Sequence, residues 1–518
     1  MRRRHHLPRV LFLSAISAAS CDDAPMMFSA QGHADAGGWT PPADAPVVDA
    51  AVDLPAPLPL DAGAAVDAGP VDAGPVDAGL GLALHAGAAA IELVPYAGSP
   101  LAGFGAAPRR VIDAVTIPLH LVALGGPCVD PDPTNAATLF ARNTGTRDPI
   151  MAKAVVLSNG ATKFALVKLD AIGVTRELHD DLLPLAASLG IPAENLIVAA
   201  THTHSGPGAL SKKKLWQLVA ADCFSQRAYD VALATAKRVL TDAHGALQPA
   251  ALGFAAVREL GASQNRSGRP GIFDPELGVI KIVHATSGAP IAAVLNFAVH
   301  GTVLGASNMQ FSGDVMGVTE RVIERDVDGG VVAIFTNGAE GDVSPVGGFA
   351  AGTLLARRYV EAWPSVATRR EIEIAGAFED VTLPAPRFNT GCFPIPGATT
   401  DICHLIPGFS FTIQLTPDWL ASTAPFKAVR LDKTVLASIP GEPITEIGLE
   451  LKKWALTKGF DRAFVVGLAN EHLGYITTRT EYERGEYEAQ GTLYGPTTGE
   501  VTVSAAERVM ERVRPPTP

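Results

Sequence analysis

Two histidines two residues apart, His202 and His204, close the apolar run "ENLIVAATHTH" (194–204), and Ser-Gly-Pro-Gly follows at once. Other apolar runs stop on similar groups. "VLNFAVH" ends on His300, "VLASIPGE" ends on Glu442, "VAIFTNGAEGDVS" runs out through Asp342 to Ser344, and "FVVGLANEHLGY" runs through Glu471 and His472 to Tyr475. A single histidine at a strand end is most often a hydrogen-bonded structural group; several such groups together point to chemistry. In an extended strand residues two apart share a face, so His202 and His204 are expected on one side and Thr201 and Thr203 on the other. Hydrolytic zinc sites take about three N/O ligands and leave a position open. His202, His300 and Glu442 would supply such a set from three strands, leaving His204 to hydrogen-bond the reacting groups. The compact HExxH zinc signature is absent. A serine acyl hydrolase using Ser344 is the competing chemistry, although "GDVSPVGG" is not a GxSxG elbow and no general base accompanies it.

The elements that must carry these residues are β-branched apolar runs bounded by turn residues, among them "AAAIELVP", "AKAVVL", "FALVKLD", "LGVIKIVH" and "RAFVVGLANE". Amphipathic helical stretches lie between them. In "EPITEIGLELKKWAL", Ile444, Ile447, Leu451 and Trp454 form one apolar stripe, and "SQRAYDVALATAKRVLTDAH" reads similarly. Strands apolar along their whole length, alternating with helices, imply sheets covered on both faces. The expected fold class is therefore α/β, with mixed β-sheets enclosed by helices. In α/β sheets ligands bind beyond the carboxyl ends of strands, where these polar residues fall.

At 518 residues, 47% hydrophobic and 18% charged, the chain has ample material for a large core. Its net charge of −12, without a basic stripe, excludes a nucleic-acid partner. "MRRRHHLPR" followed by "VLFLSAISAAS" reads as a signal peptide over 1–20, and the apolar part is too short to span a bilayer. "SAASC" resembles a bacterial lipobox, which would lipidate Cys21; an ordinary cleaved signal is the alternative. Residues 21–81 are rich in Ala, Pro and Asp and carry "VDAGPVDAGPVDAG" (66–79), which reads as a disordered tether or a low-complexity insert. The folded part is expected over 82–512, with a tail at 513–518. Cys128, Cys223, Cys392 and Cys403 allow three disulfide connectivities, and Cys392 with Cys403 could staple the loop between them. "SKKKLW" (211–216) reads as a solvated loop rather than a membrane patch. Asp170 either belongs to the site or caps the next turn. Asp314 and Asp342 are expected to hold loops, and Glu471 and His472 to be neighbours of Tyr475 rather than ligands.

"THTHSGPG" (201–208), "NRS" (265–267), "NFAVH" (296–300) with "SGD" (312–314), "GDVSP" (341–345), "PGE" (440–442) and "YITTRTEYERGEYEAQGTLYGP" (475–496) occur in that order. Together they resemble the catalytic domain of the neutral/alkaline non-lysosomal ceramidases, over roughly 85–510. The resemblance implies one zinc ion held by His202, His300, Glu442 and Tyr475. It implies His204 as general acid/base, Arg266 orienting substrate, Tyr487 donating to the developing oxyanion, and a required serine at Ser344. The family commonly continues into an immunoglobulin-like domain beyond "YGP", which is not expected here. Thr497, Gly301 and Pro443 stand where the family usually has His, Pro and an aromatic residue. These departures touch the pocket walls and none of the expected ligands. The expected protein is a monomeric, exported, zinc-dependent amidohydrolase. It would be anchored to the cell-envelope membrane through lipidated Cys21, periplasmic or on the outer surface, or else secreted. It would act on an N-acyl amide of ceramide type, releasing a fatty acid and a sphingoid base. A non-catalytic lipid-binding surface lipoprotein is the remaining alternative.

Overall fold

The computed structural model describes residues 82–105, 107–111, 128, 137–269, 271–327, 329–389 and 412–516. The expected signal peptide, the tether and the Cys392–Cys403 loop lie outside the described residues. No described helix is long and apolar enough to cross a membrane.

The strands are β1 (His85–Glu92), β2 (Met151–Ser158), β3 (Lys163–Leu169), β4 (Leu196–Ala200), β5 (Gln248–Arg258), β6 (Ser263–Asn265), β7 (Glu276–His284), β8 (Pro290–Phe297), β9 (Val332–Asn337) and β10 (Val343–Pro345), then β11 (Ile374–Thr382), β12 (Arg387–Asn389), β13 (Thr412–Gln414), β14 (Thr423–Leu431), β15 (Thr434–Ser438), β16 (Glu442–Pro443), β17 (Arg462–Val466) and β18 (Tyr475–Ile476). The longer helices are α1 (Arg176–Ser188), α2 (Gln226–Gly245), α3 (Asp314–Asp326), α4 (Ala350–Ala362), α5 (Thr445–Thr457) and α6 (Thr498–Arg512). One eight-stranded mixed sheet has the order β4-β3-β2-β1-β5-β7-β8-β9, and a four-stranded sheet has the order β11-β14-β15-β17.

Alternation along the strands sorts the core into layers. Val155 and Leu157 of β2 and Phe164 and Leu166 of β3 join Val429, Leu431, Leu436, Phe464 and Val466 of the smaller sheet in one buried cluster. The two sheets therefore pack face to face. The intervening residues Ala154, Val156, Ala165 and Val167 point outward, where they meet Leu178, Leu182, Ala236 and Leu240 of α1 and α2. Leu295 and Phe297 of β8 pack likewise against Val322 and Leu355 of α3 and α4. Val435 and Val465 pack against Leu451 and Val509 of α5 and α6. The result is an α/β/β/α sandwich, the enclosed mixed-sheet arrangement that the apolar runs imply. Contact between the sheets is close at Gly278, where a Cβ would stand 2.5 Å from the Phe464 ring.

Helix ends follow their local chemistry. Thr175 and Ser225 accept from the third residue onward, capping α1 and α2. A disulfide joins Cys128 to Cys223, the one pairing the described residues contain.

Candidate metal centre and active site

Four parallel strand pairs, β3–β4, β8–β9, β15–β17 and β16–β18, bring carboxyl ends of strands to one region. Strand β4 stops at Ala200, and His202 then takes φ +68°, a left-handed conformation costing about 1–2 kcal/mol for a non-glycine residue. The His202–His204 segment is therefore kinked rather than extended, and simple alternation does not orient the two rings. They converge all the same, with Nε2 atoms 3.2 Å apart. The kink is held from all sides: His202 N donates to Ala171 O (2.9 Å), His204 N to Gly301 O (3.0 Å), and the Thr203 hydroxyl to Ser312 O (2.8 Å). Asp170 braces it from below rather than capping a turn, accepting from Thr201 Oγ1 (3.1 Å), Lys168 Nζ (2.9 Å) and Met151 N (2.7 Å). Asn337, at the end of β9, donates to both Thr201 O (3.0 Å) and Val299 O (2.8 Å), tying the chain beside His202 to the chain beside His300.

Hydrogen bonds to main-chain carbonyls set the tautomers of the two central rings. His202 Nδ1 lies 2.7 Å from Ile172 O, and His300 Nδ1 lies 2.9 Å from Glu340 O and 3.1 Å from Val343 O. A carbonyl only accepts, so Nδ1 carries the proton in each ring and Nε2 of the neutral ring presents a lone pair. Both Nε2 atoms lie near one carboxylate oxygen: Glu442 Oε2 is 3.2 Å from His202 Nε2 and 3.4 Å from His300 Nε2, and it receives no hydrogen bond, while Arg266 Nη2 lies 3.3 Å from His300 Nε2 as a donor. Burial raises the Glu442 pKa; positive charge on the imidazoles beside it would pull the group well below the usual carboxylate range, and where those rings are neutral a cation between them takes that place. Glu442 is seated by Gly441, whose φ of +155° suits glycine, and by the β16–β18 register that sets it opposite Tyr475. Three acceptor atoms converging in a buried place are stabilised by a cation between them. Imidazoles fixed through Nδ1 to carbonyls are the usual supports of metal ligands. The residues thus fit a metal ion.

The other expected site residues lie around this set. The Tyr475 hydroxyl is 3.5 Å from His300 Nε2 and accepts from Arg266 Nη2 at 2.9 Å. Arg266 also binds Glu488 through Nε (2.9 Å) and Gly341 O (2.9 Å), and its guanidinium lies 5.3 Å from the centre of the Tyr487 ring. Tyr487 itself stands edge-on to Tyr475, ring centres 5.5 Å apart. The His204 ring is fully buried, packs 4.8 Å from Phe104, and has an unpartnered Nδ1. Burial first, then His202 and His300, keep it well below the ordinary imidazole pKa, hence neutral. Ser344 sits in β10 opposite Gln264, directly after Val343, whose carbonyl accepts from His300 N at 3.0 Å. No described histidine or carboxylate hydrogen-bonds the Ser344 hydroxyl. Asp342 and Asp314 hold loops: Asp342 accepts from Thr445 N (2.8 Å) and Asn265 Nδ2 (2.6 Å), and Asp314 from Val303 N (3.2 Å) and Leu304 N (3.0 Å).

Two further residues border this set, and Glu340 escapes the reading of the sequence. His472, expected as a neighbour of Tyr475, has its Nε2 3.5 Å from Glu442 Oε1, on the carboxylate oxygen away from His202 and His300. Glu340 is fully buried in the loop after β9, and its carboxylate offers an atom within 4.8 Å of those of His202 and Glu442. Its position at a strand end, like that of His300 and Glu442, was the available signal.

Comparison with known proteins bears on the family and the fold. The family model described as neutral/alkaline non-lysosomal ceramidase, N-terminal, matches residues 124–353 and 409–504. The neutral ceramidase of Pseudomonas aeruginosa is 24% identical over 391 residues, covering 59% of this chain and 57% of that protein. Neutral ceramidase B of Dictyostelium discoideum is 24% identical over 474 residues, covering 66% and 64%. The chain thus spans less than two thirds of the length of these curated relatives. The crystal structure of the P. aeruginosa neutral ceramidase superposes with a TM-score of 0.66 at 21% identity, over 84% of this chain and 76% of that one, so the fold is shared. By motif order, family model and fold, the chain belongs to the neutral/alkaline non-lysosomal ceramidase family.

Proposed function

We propose that this protein is a zinc-dependent amidohydrolase that cleaves an N-acyl amide of ceramide type into a fatty acid and a sphingoid base. The observation that carries the proposal is the convergence of the His202 and His300 Nε2 atoms on a buried Glu442 oxygen that no donor satisfies. His202, His300 and Glu442 would hold the ion, with Tyr475 as the fourth protein ligand. Bound there, zinc supplies an activated water and a Lewis acid for the amide carbonyl.

The chain's own groups do the rest. Arg266 stabilises charge on the Tyr475 oxygen and, through Glu488 and the Gly341 carbonyl, fixes the position of that phenol. Neutral His204 is able to take a proton and return it to the departing nitrogen, which must be protonated as the C–N bond breaks. Tyr487 stands beside Tyr475 as a donor to the oxyanion that develops on the former carbonyl oxygen; one such donor is typically worth about 10²–10³ in rate. Export and attachment to the cell-envelope membrane through lipidated Cys21 belong to the same reading, as a way to place the enzyme at its lipid substrate.

The test is hydrolysis of N-acylsphingosines and simpler N-acyl amides with and without a chelator. Stoichiometric release of fatty acid and amine that the chelator abolishes and zinc restores supports the proposal. Chelator-resistant turnover lost in Ser344→Ala would replace it with a serine acyl hydrolase. Ceramide binding without any turnover would leave a lipid-binding protein.

A further inference from the structure

Glu340 has no structural reason to be a carboxylate. It is fully buried, and neither of its side-chain oxygens has a hydrogen-bond partner. Left like this, a buried carboxylate is strongly destabilising unless something positive compensates it. Among the described residues no lysine or arginine hydrogen-bonds it: Arg266, the nearby cation, offsets only part of the burial and binds Glu488, Gly341 O, Tyr475 and His300 Nε2. What surrounds Glu340 is the metal centre. One of its oxygens belongs with His202 and Glu442 to a buried group whose ligand atoms all lie within 4.8 Å of one another. Its own main-chain carbonyl accepts from His300 Nδ1 at 2.9 Å, so the residue that fixes the tautomer of one ligand also sends a carboxylate toward two others. Room for that carboxylate is made at Gly467, where a Cβ would stand 2.8 Å from Glu340 Oε2.

We infer that Glu340 is a further ligand of the ion held by His202, His300 and Glu442, so that two carboxylates rather than one face the divalent charge. The inference rests on the zinc reading above and deepens it. Two anionic ligands neutralise the charge of the ion within the buried site and tighten its binding. The same pair of carboxylates destabilises the metal-free protein, making its folding depend on the ion.

The experiment compares wild type with Glu340→Gln, which keeps shape and removes charge. Zinc affinity is measured by competition with a chromogenic chelator, and melting temperature with and without zinc. The expected result is zinc binding at least about tenfold weaker in Glu340→Gln. Its metal-free form should melt no lower than metal-free wild type, and zinc should raise its melting temperature by less. Unchanged zinc affinity, with a lower melting temperature of the metal-free form, would overturn the inference and make Glu340 structural. If Glu340→Gln does not fold, Glu340→Asp decides: its shortened carboxylate should weaken zinc binding, and wild-type affinity would overturn the assignment. Wild type that binds no zinc would instead remove the zinc reading itself.

Discussion

The side-chain amide of Asn337 donates to the carbonyl of Thr201 across 3.0 Å, and this bond joins two strand ends that are far apart in sequence. The same amide nitrogen reaches Val299 O at 2.8 Å while the amide oxygen accepts from Val299 N at 3.0 Å. Each contact is one residue from a proposed ligand, so Asn337 fixes the spacing of His202 and His300. Asn337→Ala leaves several buried main-chain groups without partners. It should destabilise the fold by about 2–4 kcal/mol in denaturant unfolding, and zinc affinity should fall with it. Unaltered affinity would show that the two strand ends are held apart by other means.

Arg266 tests the support of the Tyr475 phenol. Arg266→Lys keeps the charge but cannot reach Glu488, Gly341 O and Tyr475 together, because an ammonium lacks the planar fork. Turnover of a ceramide-type amide is expected to fall about 10²-fold, with zinc content unchanged. Loss of zinc together with turnover would instead place Arg266 in metal retention.

The layering and the strand ends were legible because physics writes them into residue type. In "AKAVVL" and "FALVKLD" every residue between turns is apolar or long-stemmed, as a strand covered on both faces requires. Such runs stopping on His300 and Glu442 mark carboxyl ends where ligands bind. Other features had no such trace. The kink at His202 depends on φ +68°, which histidine does not favour and only the surrounding hydrogen bonds impose. Glu340 follows a strand in "NGAEGD", which was a signal, but nothing in that stretch tells that its carboxylate is fully buried. The roles of Asn337 and His472 depend on how two sheets stack, which alternation within one strand does not encode.

Lys427 gives a pH signature away from the metal centre. Its ammonium lies between the two sheets and the start of β4, donating to Ala193 O (2.7 Å), Leu196 O (2.6 Å) and His179 Nε2 (2.7 Å). Burial pushes its pKa down to about 7, below the ordinary value of 10.5. Between those two values the unfolded chain binds the proton more strongly. The Lys427 contribution therefore makes stability rise with pH over that window, by at most about 1.4 kcal/mol per pH unit. Unfolding free energies measured from pH 7 to 10 should show this slope in wild type and lose it in Lys427→Met. An identical slope in both would show that Lys427 does not titrate there.

The Cys128–Cys223 bridge closes a loop across a sequence separation of 95 residues. By chain entropy alone it contributes up to about 4–5 kcal/mol. The double variant Cys128→Ala/Cys223→Ala should accordingly melt well below wild type, and a reducing agent should lower the melting temperature of wild type only. Equal melting of both proteins would mean the bridge constrains a segment that does not limit unfolding.

The central claim is that His202, His300 and Glu442 face one another because a metal ion belongs between them. Elemental analysis of the purified protein, alongside His202→Ala and Glu442→Gln, tests it most directly. One zinc per wild-type chain is predicted, with zinc and amide hydrolysis lost together in both variants while each remains folded. A folded wild type that holds no divalent metal after zinc dialysis, or variants that keep zinc at wild-type stoichiometry, would contradict it.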